Sequence, residues 1–399
     1  MKKSEYKWLK KGFGIITGIL ITLFGCNNSD LTSLQSEINL IAGRFVPDHR
    51  VGICNVKLVS GEKGTIIITG ETTNTVAGNE IIKALNKSGK RVVDNIVYLP
   101  DTIKNKKFMG LVTLSVINLR KEPDHASELV SQLILGTPVM ILKSHDSWLL
   151  IKTPDNYIAW TEESSVKQMD RSEMVVWKKS DRVIYQENTG WLYDAPSKKS
   201  GVVGDLVGGS ILAKTGELSE YMKLALPDGR QGFVEKQKIM DFGDWKKNIS
   251  CNQEGIYNVA VTFMGLPYLW GGTSTKGVDC SGFVQSVFFR NGLILQRDAS
   301  MQALHGISID LSGGLGLLKK GDLLFIGSKK NGTPHVTHVA IYIGNKEYIN
   351  SSGRVLVNSL DSTQLNFDSY KFKSLLSARR IIGVMGDTGI VRVNNHIWY

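Results

Sequence analysis

The chain has 399 residues, 42% of them hydrophobic and 21% charged, a composition of soluble globular proteins at a length too great for one ordinary domain, so two to four cores are expected. Past the N-terminus no stretch reaches the ~20 apolar residues that a spanning helix needs, which excludes a membrane helix from the body of the chain. The formal charge of +11 comes from scattered rather than clustered Lys and Arg, which argues against nucleic acid and suits an anionic wall or membrane surface.

In residues 1–26, Lys2, Lys3, Lys7, Lys10 and Lys11 precede a mostly apolar run from Gly12 to Gly25, the pattern of a secretory signal and too short to span a bilayer. The run closes on Leu23-Phe24-Gly25-Cys26, which resembles the lipobox of bacterial lipoproteins with a bulkier residue at Phe24. That resemblance implies export and acylation of Cys26, anchoring the chain by lipid in the cell envelope. Losing five Lys and Glu5 with the signal leaves a net charge of +7. Cys54, Cys251 and Cys280 then remain, and because exported proteins normally pair their cysteines, the odd count points to one deliberately free thiol.

Residues 27–107 carry no chemical motif. The apolar run Thr65 to Thr69 and a helical pattern from Glu80 to Leu85 predict a small α/β unit. From 108 to 170 the pattern changes to short β-branched and aromatic runs, with strands expected at Val112 to Leu119, Pro138 to Leu142, Trp148 to Ile151 and Tyr157 to Trp160. A second stretch, 180–242, repeats the theme at Gly190 to Tyr193, Ser210 to Ala213, Tyr221 to Leu224 and Gly232 to Val234. The first closes on Asp155-Asn156-Tyr157-Ile158-Ala159-Trp160 and the second on Asp228-Gly229-Arg230-Gln231-Gly232-Phe233-Val234. On these phrases the two units resemble bacterial SH3-like barrels. Asp241 to Asn248, polar and charged, marks a boundary before the unit 249–399.

That last unit carries the chemistry. Behind the glycine-rich Trp270-Gly271-Gly272 comes Asp279-Cys280-Ser281-Gly282, and Phe283, Val284, Val287 and Phe288 then follow the one-sided spacing of a buried helix. Cys280 therefore falls in a first helical turn, where backbone N–H groups and the helix dipole favour thiolate. A buried structural cysteine would not need this polar setting. For a base, His338-Val339-Ala340-Ile341-Tyr342-Ile343 alternates as a strand and turns at Gly344-Asn345-Lys346 into Glu347-Tyr348-Ile349-Asn350. A three- or five-residue loop would put Asn350 directly opposite His338, about 5 Å away at Cβ, where its amide oxygen can fix the imidazole tautomer. His335 falls on the other strand face, and with no HExxH or paired CxxC no metal site is expected. His49, His125, His145, His305 and His396 lack any matching context and are taken as structural or solvated.

The motifs from Tyr268 to Val284 and His338 to Asn350, with Lys320-Gly321-Asp322-Leu323-Leu324-Phe325 between them, resemble the NlpC-type cell-wall cysteine peptidases. With two SH3-like barrels ahead, the whole is similar to the γ-D-glutamyl-L-diamino acid endopeptidases. The resemblance implies a multidomain fold: a papain-like α+β catalytic domain preceded by two all-β barrels and the small N-terminal α/β unit. It implies catalysis by Cys280, His338 and Asn350, although the family's third residue is most often His. The implied substrate is a peptidoglycan stem peptide with a free N-terminal L-Ala, cut after γ-D-glutamate by a monomer without cofactor. Asp279 and Asp298 would meet the terminal ammonium; Tyr268, Trp270 and Ser281 would line the site; Glu128 and Tyr157 would be the first barrel's contribution. Two other readings stay open: a wall-binding module with a decayed catalytic domain, and an amidase or acyltransferase on the same fold.

Overall fold

The computed structural model describes residues 28–102 and 106–399; the signal segment and Cys26 lie outside the described residues. In the N-terminal unit a helix, Asn28–Phe45, is followed by strands Cys54–Ser60 and Ile66–Thr72, the helix Thr75–Asn86 and strand Val92–Tyr98. The first two strands pair antiparallel, while the second and third pair parallel across that helix. Asn74 starts the crossover helix by accepting the Ala77 N–H, and Ala77, Ile81 and Leu85, four residues apart, bury one face against Ile66 and Ile68.

Each of the next two units is a seven-stranded antiparallel sheet. The first runs Met109–Val112, Val116–Arg120, Leu129–Ile134, Pro138–His145, Trp148–Lys152, Ile158–Glu162 and Val166–Met169. The second runs Arg182–Tyr185, Thr189–Tyr193, Val202–Val207, Ile211–Leu218, Tyr221–Ala225, Gln231–Glu235 and Ile239–Asp241. Numbered within each unit, both sheets have the spatial order seventh, first, fourth, fifth, sixth, second, third. The closing phrases of the two units are thus the same structural element. Before the sixth strand, Asn156 (φ 70°) and Gly229 (φ 94°) occupy the left-handed turn that their residue types favour. The expected strand Val112 to Leu119 is instead two, broken at Thr113-Leu114-Ser115: the Thr113 N–H and hydroxyl both bond the Ser165 carbonyl, and Leu114 turns outward.

The C-terminal unit packs helix Cys280–Arg290 against a six-stranded antiparallel sheet. The strands in spatial order are Ile307–Ile309, Leu375–Arg380, Leu323–Lys330, Thr333–Gly344, Glu347–Ser352 and Arg354–Ser359. Phe283, Val284, Val287 and Phe288 are fully buried against Phe325, Val339 and Ile341 of the sheet. This unit and the first barrel are cross-linked by polar contacts: Gln285 donates to Asp155 (2.9 Å), Arg297 to Ser131 (3.0 Å), and the Thr273 hydroxyl to the Gln132 carbonyl (2.9 Å). All three described cysteines are unpaired: Cys54 lies in the N-terminal core and Cys251 ahead of helix Gln253–Val261, so Cys280 is not the single free thiol that the count suggested.

Candidate active site

Asp279 caps the Cys280–Arg290 helix, its Oδ1 accepting the Gly282 N–H (2.7 Å). At Gly282 a Cβ would sit 2.0 Å from the Gly272 carbonyl oxygen, so only glycine lets the helix start against the glycine-rich loop. Cys280 follows at the first helical position and is 8% exposed. Burial and the charge of Asp279 push its thiol up to about 11, against the opposing effect of the Val339 and Ser281 N–H groups. The helix start does not make a resting thiolate here, because desolvation outweighs the backbone donors.

His338 and Val339 share the strand Thr333–Gly344, and the Val339 N–H meets the Cys280 thiol. The hairpin turn has two residues, Asn345 (φ 51°) and Lys346 (φ 60°), both left-handed as a tight hairpin requires. Ile341 accordingly faces Ile349, and Asn350 is diagonal to His338 rather than directly opposite it. The two still meet, His338 Nε2 to Asn350 Oδ1 at 2.8 Å, because diagonal neighbours on one sheet face remain within side-chain reach. Asn350 is fully buried, and its Nδ2 donates to Asn358 Oδ1 (3.0 Å) and to the Leu356 carbonyl (3.3 Å). With the amide so oriented, Nε2 carries the imidazole proton and Nδ1 is left as acceptor. Burial pushes His338 down to about 4, opposed by its bond to Asn350.

The acidic residues expected to receive a substrate ammonium already have partners. Asp279 forms a two-pronged ion pair with the fully buried Arg297, Nη2 to Oδ2 at 2.5 Å and Nη1 to Oδ1 at 3.2 Å, and also accepts the Gly271 N–H (3.0 Å). Ser281 is tied to the same pair, accepting from Arg297 Nη1 (2.9 Å) and donating to Asp279 Oδ1 (3.3 Å). Asp298 pairs with Arg50 of the N-terminal unit at 2.7 Å. Glu128 is exposed and accepts from Trp270 Nε1 (3.1 Å), a bridge from the first barrel to the loop ahead of Cys280. Tyr157 packs in the first barrel's core, where burial and the neighbouring Asp298 raise its phenol. Tyr268 is pushed up to about 12 by burial and by the neighbouring Cys280. Trp270 is 61% exposed.

Arg50, Arg297 and Asn358 were not among the residues expected from sequence. Arg297 was within reach of sequence reasoning, since an Asp at a buried helix start calls for a cation; Arg50 was not, because it lies in a unit with no motif. Among the described residues no group of His, Cys, Asp and Glu is arranged to hold a metal ion. An apolar cavity at the seam of both barrels and the C-terminal unit, lined by Ile134, Phe289, Ile294 and Tyr399, does not include Cys280, His338 or Asn350.

Comparison with known proteins places this geometry in context. Residues 265–372 match the NlpC/P60 family, and residues 119–166 match the bacterial dipeptidyl-peptidase Sh3 domain. The chain is 30% identical over 264 residues to dipeptidyl-peptidase 6 of Lysinibacillus sphaericus, covering 63% of this chain and 92% of that protein. It is 28% identical over 236 residues to a gamma-D-glutamyl-L-lysine dipeptidyl-peptidase of Bacillus cereus, covering 57% of this chain and 68% of that protein. In architecture it is similar to an NlpC/P60 family protein of Bacillus cereus, with a TM-score of 0.59 at 22% identity over 69% of this chain and 99% of that one. A Cys-bearing helix start held against a His-bearing sheet, a pair of SH3-like barrels ahead of it and a relative matched over nearly its full length lead to one conclusion: the chain belongs to the NlpC/P60 family of peptidases.

Proposed function

We propose that this peptidase hydrolyses the γ-D-glutamyl–diamino acid bond of peptidoglycan stem peptides with a free N-terminal L-Ala, releasing L-Ala-γ-D-Glu. The observation that carries the reading is the His338–Asn350 bond of 2.8 Å on the strand whose Val339 N–H meets a thiol held at a helix start, in a chain whose relatives include a gamma-D-glutamyl-L-lysine dipeptidyl-peptidase. In the acylation step His338 Nδ1 takes the Cys280 proton as sulfur attacks the γ-glutamyl carbonyl, and N–H groups at the helix start receive the oxyanion. The tetrahedral species collapses to a thioester, with the imidazolium proton passing to the departing amine. Water, deprotonated by the same nitrogen, then attacks the thioester carbonyl, and the proton returns to sulfur. Asn350 holds the imidazole tautomer throughout.

Tyr268, Trp270 and Ser281 line the site in this reading, and Glu128 and Tyr157 extend it into the first barrel. The units fall at 27–107, 108–170, 180–242 and 249–399. In this reading the enzyme acts outside the cytoplasm, anchored through acylated Cys26. The deciding experiment incubates the protein with L-Ala-γ-D-Glu-L-Lys, its diaminopimelate counterpart and the matching tetrapeptides, with mass spectrometry of the products. Release of L-Ala-γ-D-Glu from these peptides is expected; cleavage at any other bond, or none, overturns the reading.

A further inference from the structure

The chain enters the Cys280–Arg290 helix from a very small hairpin: strand Thr273–Ser274 pairs with Gly277–Val278, and Asp279 and Cys280 follow at once. So short a pairing does not hold itself together in water, and its support comes from the two barrels. At the tip, Lys276 forms an ion pair with Asp205 of the second barrel and donates to Ser115 Oγ of the first (3.0 Å), while the Thr275 hydroxyl donates to the Asn188 carbonyl. At the base the hairpin is gripped by Gln132, on strand Leu129–Ile134 of the first barrel. Gln132 Oε1 accepts the Thr273 N–H (3.2 Å) and the Ser274 hydroxyl (3.4 Å), and the Gln132 carbonyl accepts the Thr273 hydroxyl (2.9 Å).

Gln132 is itself held. It is buried, and its Nε2 donates to Asn118 Oδ1 on the neighbouring strand (3.0 Å), which leaves Oε1 for the hairpin. On its other side Thr273 is tied to the catalytic helix, its carbonyl accepting the Ser286 hydroxyl (2.8 Å). Thr273 is therefore a peg between barrel and helix: its N–H and hydroxyl go to Gln132 and its carbonyl to Ser286. The approach is close enough to require glycine beside it, since a Cβ on Gly271 (φ 77°) would sit 2.6 Å from the Leu129 carbonyl oxygen. Apolar side chains could fill such a seam, whereas a satisfied set of donors and acceptors specifies one placement of the hairpin, and with it of Cys280 against the strand that carries His338.

We infer that Gln132 is a positioning residue of the peptidase reaction: from the first barrel it sets the hairpin Thr273–Val278, and through the hairpin the Cys280 thiol. The barrel is then part of the catalytic apparatus. The inference rests on Cys280 as nucleophile and takes only its assay peptide from the bond assignment proposed above.

The test uses the full chain and two readouts. One is steady-state kinetics on L-Ala-γ-D-Glu-L-Lys; the other is the rate of iodoacetamide labelling at Cys280, followed by peptide mass spectrometry with Cys251 of the same unit as internal reference. Gln132→Leu keeps the bulk of the side chain and removes its polar atoms. Its kcat should fall at least about tenfold with KM within about threefold, because a small displacement of the nucleophile costs rate rather than binding. Labelling of Cys280 relative to Cys251 should rise at least about threefold, since the thiol is freed locally and the rest of the unit is not loosened. Gln132→Glu keeps an accepting oxygen toward Thr273 and should restore kcat to within about threefold of wild type. A kcat for Gln132→Leu within about twofold of wild type, or a labelling ratio that stays constant, overturns the inference. If Gln132→Leu does not fold, Thr273→Val, which removes the hydroxyl from the hairpin side of the same contact, is held to the same two limits. If the wild type leaves the peptide uncut, the bond assignment falls, and the labelling ratio alone decides for or against Gln132.

Discussion

Asn358 accepts a hydrogen bond from Asn350, Nδ2 to Oδ1 at 3.0 Å, and that contact decides which end of the Asn350 amide faces the imidazole. With Nδ2 committed to Asn358 and to the Leu356 carbonyl, only Oδ1 is left for His338, so the ring must present Nε2–H to it. Asn358 is anchored in turn by donating from Nδ2 to the Asn366 carbonyl (3.5 Å). The orienting group of the site is therefore a chain of amides rather than one residue.

Asn350→Leu should accordingly lower kcat by at least about a hundredfold, since the imidazole loses the partner that sets its tautomer, whereas Asn350→His should stay within about tenfold of wild type. Asn358→Leu, which removes only the support, should cost about tenfold in kcat with little change in KM. Steady-state kinetics on one stem peptide measures all three. If Asn350→Leu is as active as Asn350→His, the orienting role belongs elsewhere.

Cys280→Ala should leave less than about a thousandth of wild-type activity, because the covalent step disappears with the sulfur. The thiol makes no ion pair or metal bond that the fold depends on, so the midpoint of thermal unfolding should move by only a few degrees, about what loss of one small buried group costs. Differential scanning calorimetry alongside the assay checks both halves.

The free enzyme should rest as neutral thiol and neutral imidazole, since Cys280 is pushed up to about 11 and His338 down to about 4. Alkylation by iodoacetamide at pH 7 should be slower than for an unperturbed cysteine and should climb as pH rises toward 11. Fast alkylation at pH 7 with a plateau would instead reveal a thiolate–imidazolium pair.

Protonation of His338 also links to stability. Its folded value of about 4 lies below the ordinary 6.5, so between these limits the unfolded chain binds more protons and stability rises with pH. The contribution is complete above pH 6.5 and is lost as pH falls toward 4. Urea unfolding at several pH values in this window, for the wild type and for His338→Gln, should show a slope that the variant partly loses; identical slopes would mean that His338 is not held neutral by burial.

Arg297→Met should strand the buried Asp279 carboxylate and destabilise the protein by about 3 to 5 kcal/mol, with Arg297→Met/Asp279→Asn recovering part of that loss. Chemical denaturation of the single and double variants gives the comparison. A single variant as stable as wild type would show that Asp279 draws its support from the Gly271 and Gly282 N–H groups alone.

The sequence by itself determined the local elements and the meeting of His338 with Asn350. The apolar spacing after Cys280 is a helix because Phe283, Val284, Val287 and Phe288 share one face, and the repeated closing phrases mark sixth strands of two barrels with one topology. His338 and Asn350 could be paired from strand alternation alone, although the register could not: whether the hairpin turns on two residues or three depends on Asn345 and Lys346 both entering the left-handed region, a choice that either residue permits but neither dictates. The charge state of the site was decided only by tertiary structure. A helix start favours thiolate locally, yet burial beneath the sheet reverses the balance, and the depth of burial is a property of the assembled fold. The partners of the carboxylates were equally out of reach, for Asp298 meets an arginine 248 residues earlier in the chain. Ion pairs carry no periodicity, so nothing in the local pattern of Asp48, Arg50 or Asp298 records that they meet; only the docking of the N-terminal unit against the first barrel and the C-terminal unit brings their charges together.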